Sequence, residues 1–184
     1  MDSSYLVPVA QLMRAAPSTV QLAFCAPFDA DHEFVSRGRA ETDVDAEAIV
    51  DVTVTLQSFS GGLRATGRVS APWFGVCRRC SVAVLGVSDV AVDERFVDHP
   101  EPEDDEAYLI ENDFVDFAPM IHDAILLDLP LAPLCREDCA GLCPYCGIDR
   151  NDASCDCAAP VDVRWATLDG LRFADETSGE SKEA

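Results

Sequence analysis

Twenty-three residues, Cys135 to Cys157, constrain this chain more than any other stretch, because they carry six of its nine cysteines. They read C-R-E-D-C-A-G-L-C-P-Y-C-G-I-D-R-N-D-A-S-C-D-C. Two thiolates separated by two residues can face one ion, and a glycine behind the second permits the tight turn that this needs. Cys143-Pro144-Tyr145-Cys146-Gly147 therefore has the form of a zinc knuckle. Four thiolates around zinc make a closed tetrahedron, which is structural and leaves no position for a substrate water. The segment points to metal and away from catalysis.

Spacing leaves three groupings of these thiols open. The one adopted takes Cys135, Cys139, Cys143 and Cys146 as a single site, since all four lie within twelve residues and Gly141 loosens the middle. Cys155 and Cys157 are then spare, or replace one member. In the second, Cys143 and Cys146 join Cys155 and Cys157; in the third, all six share two ions. Cys77-Arg78-Arg79-Cys80 is a further C-x-x-C. It can supply half of another site, pair with two C-terminal cysteines across the fold, or act as a redox pair whose arginines lower the thiol pKa. A thioredoxin-like redox motif needs a βαβ context, and no such alternation is seen. Cys25, alone in an alternating strand, reads as a small buried hydrophobe.

The charge balance narrows the function classes. Lys and Arg number 13 against 34 Asp and Glu, for a net charge of -21. Phosphate backbones repel such a chain, so general nucleic-acid binding is disfavoured and a basic protein partner is easier to justify. Met1-Asp2-Ser3-Ser4 lacks a basic signal-peptide start, and no run of about 20 apolar residues is present to span a membrane. A cytoplasmic address is expected. In that reducing compartment clustered cysteines mean metal or redox chemistry, not disulfides. Three scattered histidines and the absence of nucleophile-elbow, phosphate-loop and H-E-x-x-H motifs argue for a non-enzyme with no small-molecule substrate.

The chain length suits one domain with a small appendage. Residues 1–97 are expected to form a β-rich body. Tyr5–Val9 reads as an edge strand, Gln11–Ala16 as a helical turn and Val20–Ala26 as a strand; residues 27–47 read as loop with one short strand. Ile49–Phe59 alternates Val50, Val52, Val54 and Leu56 with polar residues, the pattern of a half-buried strand. Ser60-Gly61-Gly62 turns it into a hairpin with Leu63–Ser70, and Pro72-Trp73-Phe74-Gly75 is expected to break that pairing. Val82–Val97 is extended. Residues 98–113 read as an acidic linker. Residues 114–173 hold a helix over 114–129, the cysteine segment and a short C-terminal helix; 174–184 form a disordered tail. In the main helix Asp116 is the expected cap, with Phe117, Met120, Ile121, Ala124 and Leu127 on the buried face. Asp162 caps the C-terminal helix, and Trp165 docks on the body. The fold class is α+β: an antiparallel, barrel- or sandwich-like body, one main helix and a cysteine-rich segment.

Four pieces in order carry a family resemblance. They are the hairpin running into Pro72-Trp73-Phe74-Gly75-Val76-Cys77-Arg78-Arg79-Cys80; the acidic linker; Leu127-Asp128-Leu129-Pro130-Leu131-Ala132-Pro133-Leu134-Cys135 continuing to Gly147; and Asp162-Val163-Arg164-Trp165. Together they resemble the YceD family, described as large ribosomal RNA subunit accumulation proteins. The family's last motif usually reads D-P-R-W, and Val163 here removes the proline but not the cap. The resemblance implies a non-enzymatic role in 23S rRNA accumulation and large-subunit assembly. The expected partner is a basic ribosomal protein or an assembly factor, with zinc as a structural cofactor. Any direct rRNA contact would need a local basic spot, for which Arg64, Arg68, Arg78 and Arg79 are the candidates. A thiol redox protein built on Cys77 and Cys80, and an acidic adaptor shielding a basic ribosomal protein, are the alternatives.

Overall fold

Alternation along one strand sets the architecture. In β4 (Ile49–Phe59), Val50, Val52, Val54 and Leu56 are buried while Asp51, Thr53 and Gln57 face outward or lie partly exposed. Because side chains alternate across a strand, this one element defines a dry and a wet face for the whole sheet. The computed structural model describes residues 5–15, 17–28, 42–99, 107–157 and 164. The expected C-terminal helix, the docking of Trp165 and the tail from 174 to 184 lie outside the described residues.

The other elements are β1 (Leu6–Pro8), α1 (Ala10–Arg14), β2 (Thr19–Pro27), β3 (Thr42–Asp43), β5 (Gly62–Val76), β6 (Ala83–Val97), β7 (Tyr108–Glu111), β8 (Phe114–Asp116) and α2 (Ala118–Asp128). The sheet runs β1-β8-β7-β6-β5-β4-β2, with β3 paired to β5. Neighbours are antiparallel except β6 and β7, which pair in parallel at Phe96 with Tyr108 and Val97 with Leu109. The sheet curls into a half-barrel. Its two edge strands approach where the Tyr5 hydroxyl donates to the Pro27 carbonyl at 2.7 Å and the Tyr5 ring meets Phe24 edge-on. Phe96, Phe117, Met120, Ile121 and Ile125 fill the concave side. The α+β class, the antiparallel body and the single main helix are as expected.

Three local expectations are corrected. The main helix starts late: Phe114–Asp116 is strand β8, paired with β1, and α2 begins at Ala118. Asp116 still serves its start, its Oδ1 accepting the Ala118 N–H at 2.9 Å, and Pro119 sits in the first turn, where no donor is needed. The buried face is Ala118, Ile121, His122 and Ile125, an i, i+3, i+4, i+7 stripe joined by Met120. Leu127, expected inside, is 87% exposed, because it lies across the helix from that stripe. His122 is buried, with its ring 4.5 Å from Phe28. Tyr108–Glu111, within the stretch expected as linker, is strand β7, and the Tyr108 hydroxyl donates to Asp123 of α2 at 2.8 Å.

Pro72 to Gly75 does end pairing with β4, whose last partner is Ser70, but β5 runs on. It pairs with β6 through Val76, and β3 covers its other edge at Phe74 and Gly75. A proline is tolerated where one edge has lost its neighbour. The result is a ribbon of β5 and β6, edged briefly by β3, that extends beyond β4 and carries Cys77 and Cys80 at its tip.

Candidate metal centres

The C-x-x-C at the ribbon tip and the one in the cysteine segment share one backbone hydrogen-bond pattern. The Cys77 N–H donates to the Val82 carbonyl at 2.8 Å, and the Ser81 N–H to the Cys77 carbonyl at 2.8 Å. In the second turn the Cys143 N–H donates to Ile148 at 2.8 Å, and the Gly147 N–H to Cys143 at 2.9 Å. The residue after the second cysteine is left-handed in both, Ser81 at φ 61 and Gly147 at φ 74. Each turn aims two thiols the same way, as a knuckle must. The sequence contexts differ, so the likeness is visible only in the backbone.

Each knuckle is completed by a second pair. The sulfurs of Cys77, Cys80, Cys135 and Cys139 all lie within 4.8 Å of one another, and so do those of Cys143, Cys146, Cys155 and Cys157. Cys77 and Cys139 are 3.8 Å apart, and Cys80 and Cys135 are 3.6 Å apart. A tetrahedron with metal–sulfur bonds of about 2.3 Å has edges of about 3.8 Å, so the donor set fits one ion per group. The grouping adopted from spacing, Cys135 and Cys139 with Cys143 and Cys146, is not the one the fold assembles. The reason is tertiary. The Arg78 N–H donates to the Pro133 carbonyl and the Leu142 N–H to the Arg79 carbonyl, both at 2.9 Å. These bonds lay residues 133–142 along the ribbon tip and bring Cys135 and Cys139 to the first knuckle. The second knuckle then takes Cys155 and Cys157.

The two groups share one short piece of backbone. Gly141 accepts from the Arg150 N–H at 2.9 Å, and Leu142 and Asp149 form an antiparallel bridge. Gly141 is left-handed at φ 70, and a Cβ there would come within 2.9 Å of the Arg79 carbonyl oxygen. Asn151 ties the groups further. Its Nδ2 donates to the Cys139 sulfur at 3.4 Å, and its Oδ1 accepts from the Ala140 N–H at 2.8 Å and from the Arg136 guanidinium at 2.7 Å. Sequence reasoning passed over Asn151; the only available signal was an amide inside a cysteine-rich loop.

The thiols divide electrostatically. For Cys77 burial pushes the pKa up, but N–H groups of Cys135, Cys80 and Arg79 outweigh it and bring the thiol down to about 6. Backbone N–H groups of Cys146 and Tyr145 lower Cys143 to about 6. The Asn151 side chain lowers Cys139. Burial, then the neighbouring thiols, push Cys135 up to about 12. Cys157 is pushed up to about 12 by Cys146, then by burial. Cys80 and Cys155 are also raised, the N–H groups of Val82 and Cys157 being outweighed by burial and neighbouring sulfur. Four sulfurs this close cannot all ionise without a cation between them.

The expected arginine patch is dispersed. Arg64 pairs with Asp93 through two contacts at 2.6 Å, and Arg68 pairs with Asp89 at 2.8 Å. These are exposed cross-strand pairs that leave little net positive charge. Arg79 donates to the backbone carbonyls of Glu137 and Cys139. Arg78 lies at the ribbon tip, ten residues up β5 from Arg68, which is about 30 Å of extended chain. Cys25, expected buried, is exposed and donates to Asp51 at 2.9 Å.

Comparison with known proteins adds the family. An uncharacterized protein of Mycobacterium tuberculosis is 35% identical over 175 residues, covering 88% of this chain and 84% of that protein. One from Mycobacterium leprae is 30% identical over 147 residues, 74% of this chain and 67% of that one. The uncharacterized protein YlbN of Bacillus subtilis is 32% identical over 106 residues, 55% and 62% of the two chains. No solved structure gives a significant match. Residues 65–172, which span the ribbon, α2 and both cysteine groups, match the family model, and the chain belongs to the family described as "Large ribosomal RNA subunit accumulation protein YceD".

Proposed function

We propose that this protein supports 23S rRNA accumulation and large-subunit assembly in the cytoplasm, as a non-enzymatic interaction factor whose C-terminal half is held by two structural zinc ions. The family match carries the ribosomal part of this reading. The two closed four-sulfur groups support the structural part, because such sets leave no position for substrate. Sulfur-only tetrahedral donors select zinc or iron–sulfur chemistry, and edges of 3.6–3.8 Å suit a single ion better than a multi-iron cluster. Zinc in such a site contributes on the order of 10–16 kcal/mol to local folding, by analogy with zinc-finger peptides. The redox reading loses its support because Cys77 and Cys80 are buried with two further thiols rather than presented to a substrate.

The dispersed arginines favour action through a basic protein over direct rRNA contact. The test is depletion of the protein with the 23S to 16S rRNA ratio as readout, alongside the metal content of the purified chain. Two zinc ions per chain and a falling ratio are expected. A normal ratio under full depletion would reject the ribosomal role, and a metal-free, folded chain would reject the structural one.

A further inference from the structure

The wet face of the sheet changes character along its length. Its near half carries Arg64, Asp93, Arg68 and Asp89 in crossed ion pairs. On the ribbon beyond β4 the same face turns apolar. Pro72 stands opposite Val87, Phe74 opposite Leu85 and Val76 opposite Ala83. All six are exposed, Leu85 by 82%, Val87 by 66% and Phe74 by 46%. Alternation puts them on one side as three adjoining cross-strand pairs. The inner side of the same ribbon is occupied, with Trp73 packed over Gly86 and the Ser88 hydroxyl donating to Asp128 of α2. Contiguous exposed apolar faces of this kind mark interaction sites.

Charge decides what can cover it. A second copy would bring another chain of net charge -21 to the same place, and RNA would bring phosphates to six apolar side chains that offer no donors. A cationic protein segment meets neither obstacle. The exposed Asp43 stands beside Phe74 in the register of β3, with exposed Asp45 and Glu47 following it, so one margin of the face is acidic.

We propose that the outer face of the β5–β6 ribbon docks a basic, apolar-faced protein segment, with Phe74, Leu85 and Val87 as anchors and Asp43 at the acidic margin. This rests on the functional reading only for the identity of the partner; the surface itself is argued from burial and charge. Apolar anchors supply the affinity, and the overall field supplies the rate and the choice of a cationic partner.

The experiment uses the full metal-loaded chain and a synthetic amphipathic helix with leucines on one face and lysines on the other. A lysine–serine peptide of equal charge is the control. L85E/V87E adds two negative charges while removing the anchors, so charge alone predicts unchanged or tighter binding. Docking predicts at least tenfold weaker binding of the leucine–lysine peptide, with metal content and thermal midpoint unchanged. Equal affinity of the two peptides, or unaltered affinity in L85E/V87E, overturns the proposal. Concentration-dependent self-association abolished by the same substitutions overturns it in favour of a second copy, and binding of a short RNA abolished by them overturns it in favour of nucleic acid. Peptide binding that survives alongside a normal 23S rRNA level after depletion would reject the ribosomal role and leave the surface standing.

Discussion

Replacing Asn151 by alanine tests the architecture of the first metal centre from outside its ligand set. The side chain makes four contacts there. Those to the Ala140 N–H and the Arg136 guanidinium lie at the surface, where water replaces them at small cost. The third, Nδ2 to the Asp149 carboxylate at 2.7 Å, holds the amide within its own loop. The fourth, Nδ2 to the Cys139 sulfur, serves a thiol only 2% exposed, which water reaches poorly. A hydrogen bond to a charged group is worth about 1.5–3 kcal/mol. Loss of it should weaken the first site by about 10- to 100-fold, the range usual for groups that orient a metal ligand. Asn151→Asp keeps both oxygen contacts and the volume but cannot donate, and it sets a carboxylate beside a thiolate. It should do at least as much harm as alanine, because the new carboxylate faces both the Cys139 thiolate and the Asp149 carboxylate that Nδ2 serves. The measurement is chelator competition, with the cobalt–thiolate absorption band as a second readout. It is made on the chain with both sites intact, because Asn151 sits on the loop that Cys146 and Cys155 bracket, and the site formed by Cys77, Cys80, Cys135 and Cys139 is followed as the release step that the substitutions shift. Unchanged affinity in both variants, or an aspartate as good as asparagine, would refute the reasoning.

Three further outcomes follow. Gly141→Ala should disrupt the first site, since its Cβ would meet the Arg79 carbonyl, whereas Gly147→Ala has open space and should cost only the left-handed strain of about 1–2 kcal/mol; metal stoichiometry and thermal unfolding compare the two. Zinc loading of the metal-free chain near pH 7.5 should release at least two protons per ion, because thiols of an unfolded segment are mostly protonated there, and within the assembled groups Cys80 and Cys135 at one site and Cys155 and Cys157 at the other are raised. Affinity should therefore rise with pH through the neutral range, and calorimetry in two buffers of different ionisation heat that detects no release would count against it. Ile121→Ala should cost about 2–5 kcal/mol in denaturant unfolding and Leu127→Ala close to none, since the first is fully buried and the second lies outside the packed stripe.

The strand signal in Ile49–Phe59 was legible because one face is dry and the other wet, and the knuckle at Cys143 and Cys146 was legible because two thiols and a turn are a local matter. What could not be read was which pairs meet. Cys77 and Cys139 are 62 residues apart, Cys80 and Cys135 are 55 apart, and nothing in local spacing encodes their approach. The compact set Cys135 to Cys146 looked sufficient because spacing counts only near neighbours. The same limit hid the first half of β7, where Tyr108 and Leu109 pair in parallel with the end of β6, while Ile110 and Glu111 form a short hairpin with β8. The helix start was displaced for a related reason: Phe114–Asp116 is held extended by β1, from the far end of the chain. The arginines clustered in sequence, but their charge was spent on Asp89 and Asp93 from the neighbouring strand.

The wide separation of the first centre's ligands has a consequence for synthesis. A ribosome elongating at about 5–20 residues per second presents Cys77 and Cys80 several seconds before Cys135 and Cys139 leave the tunnel. During that interval the nascent ribbon tip is a half-filled chelate, open to any passing thiol or ion. The second centre has no such delay, because its four sulfurs emerge almost together and can close without waiting for the barrel.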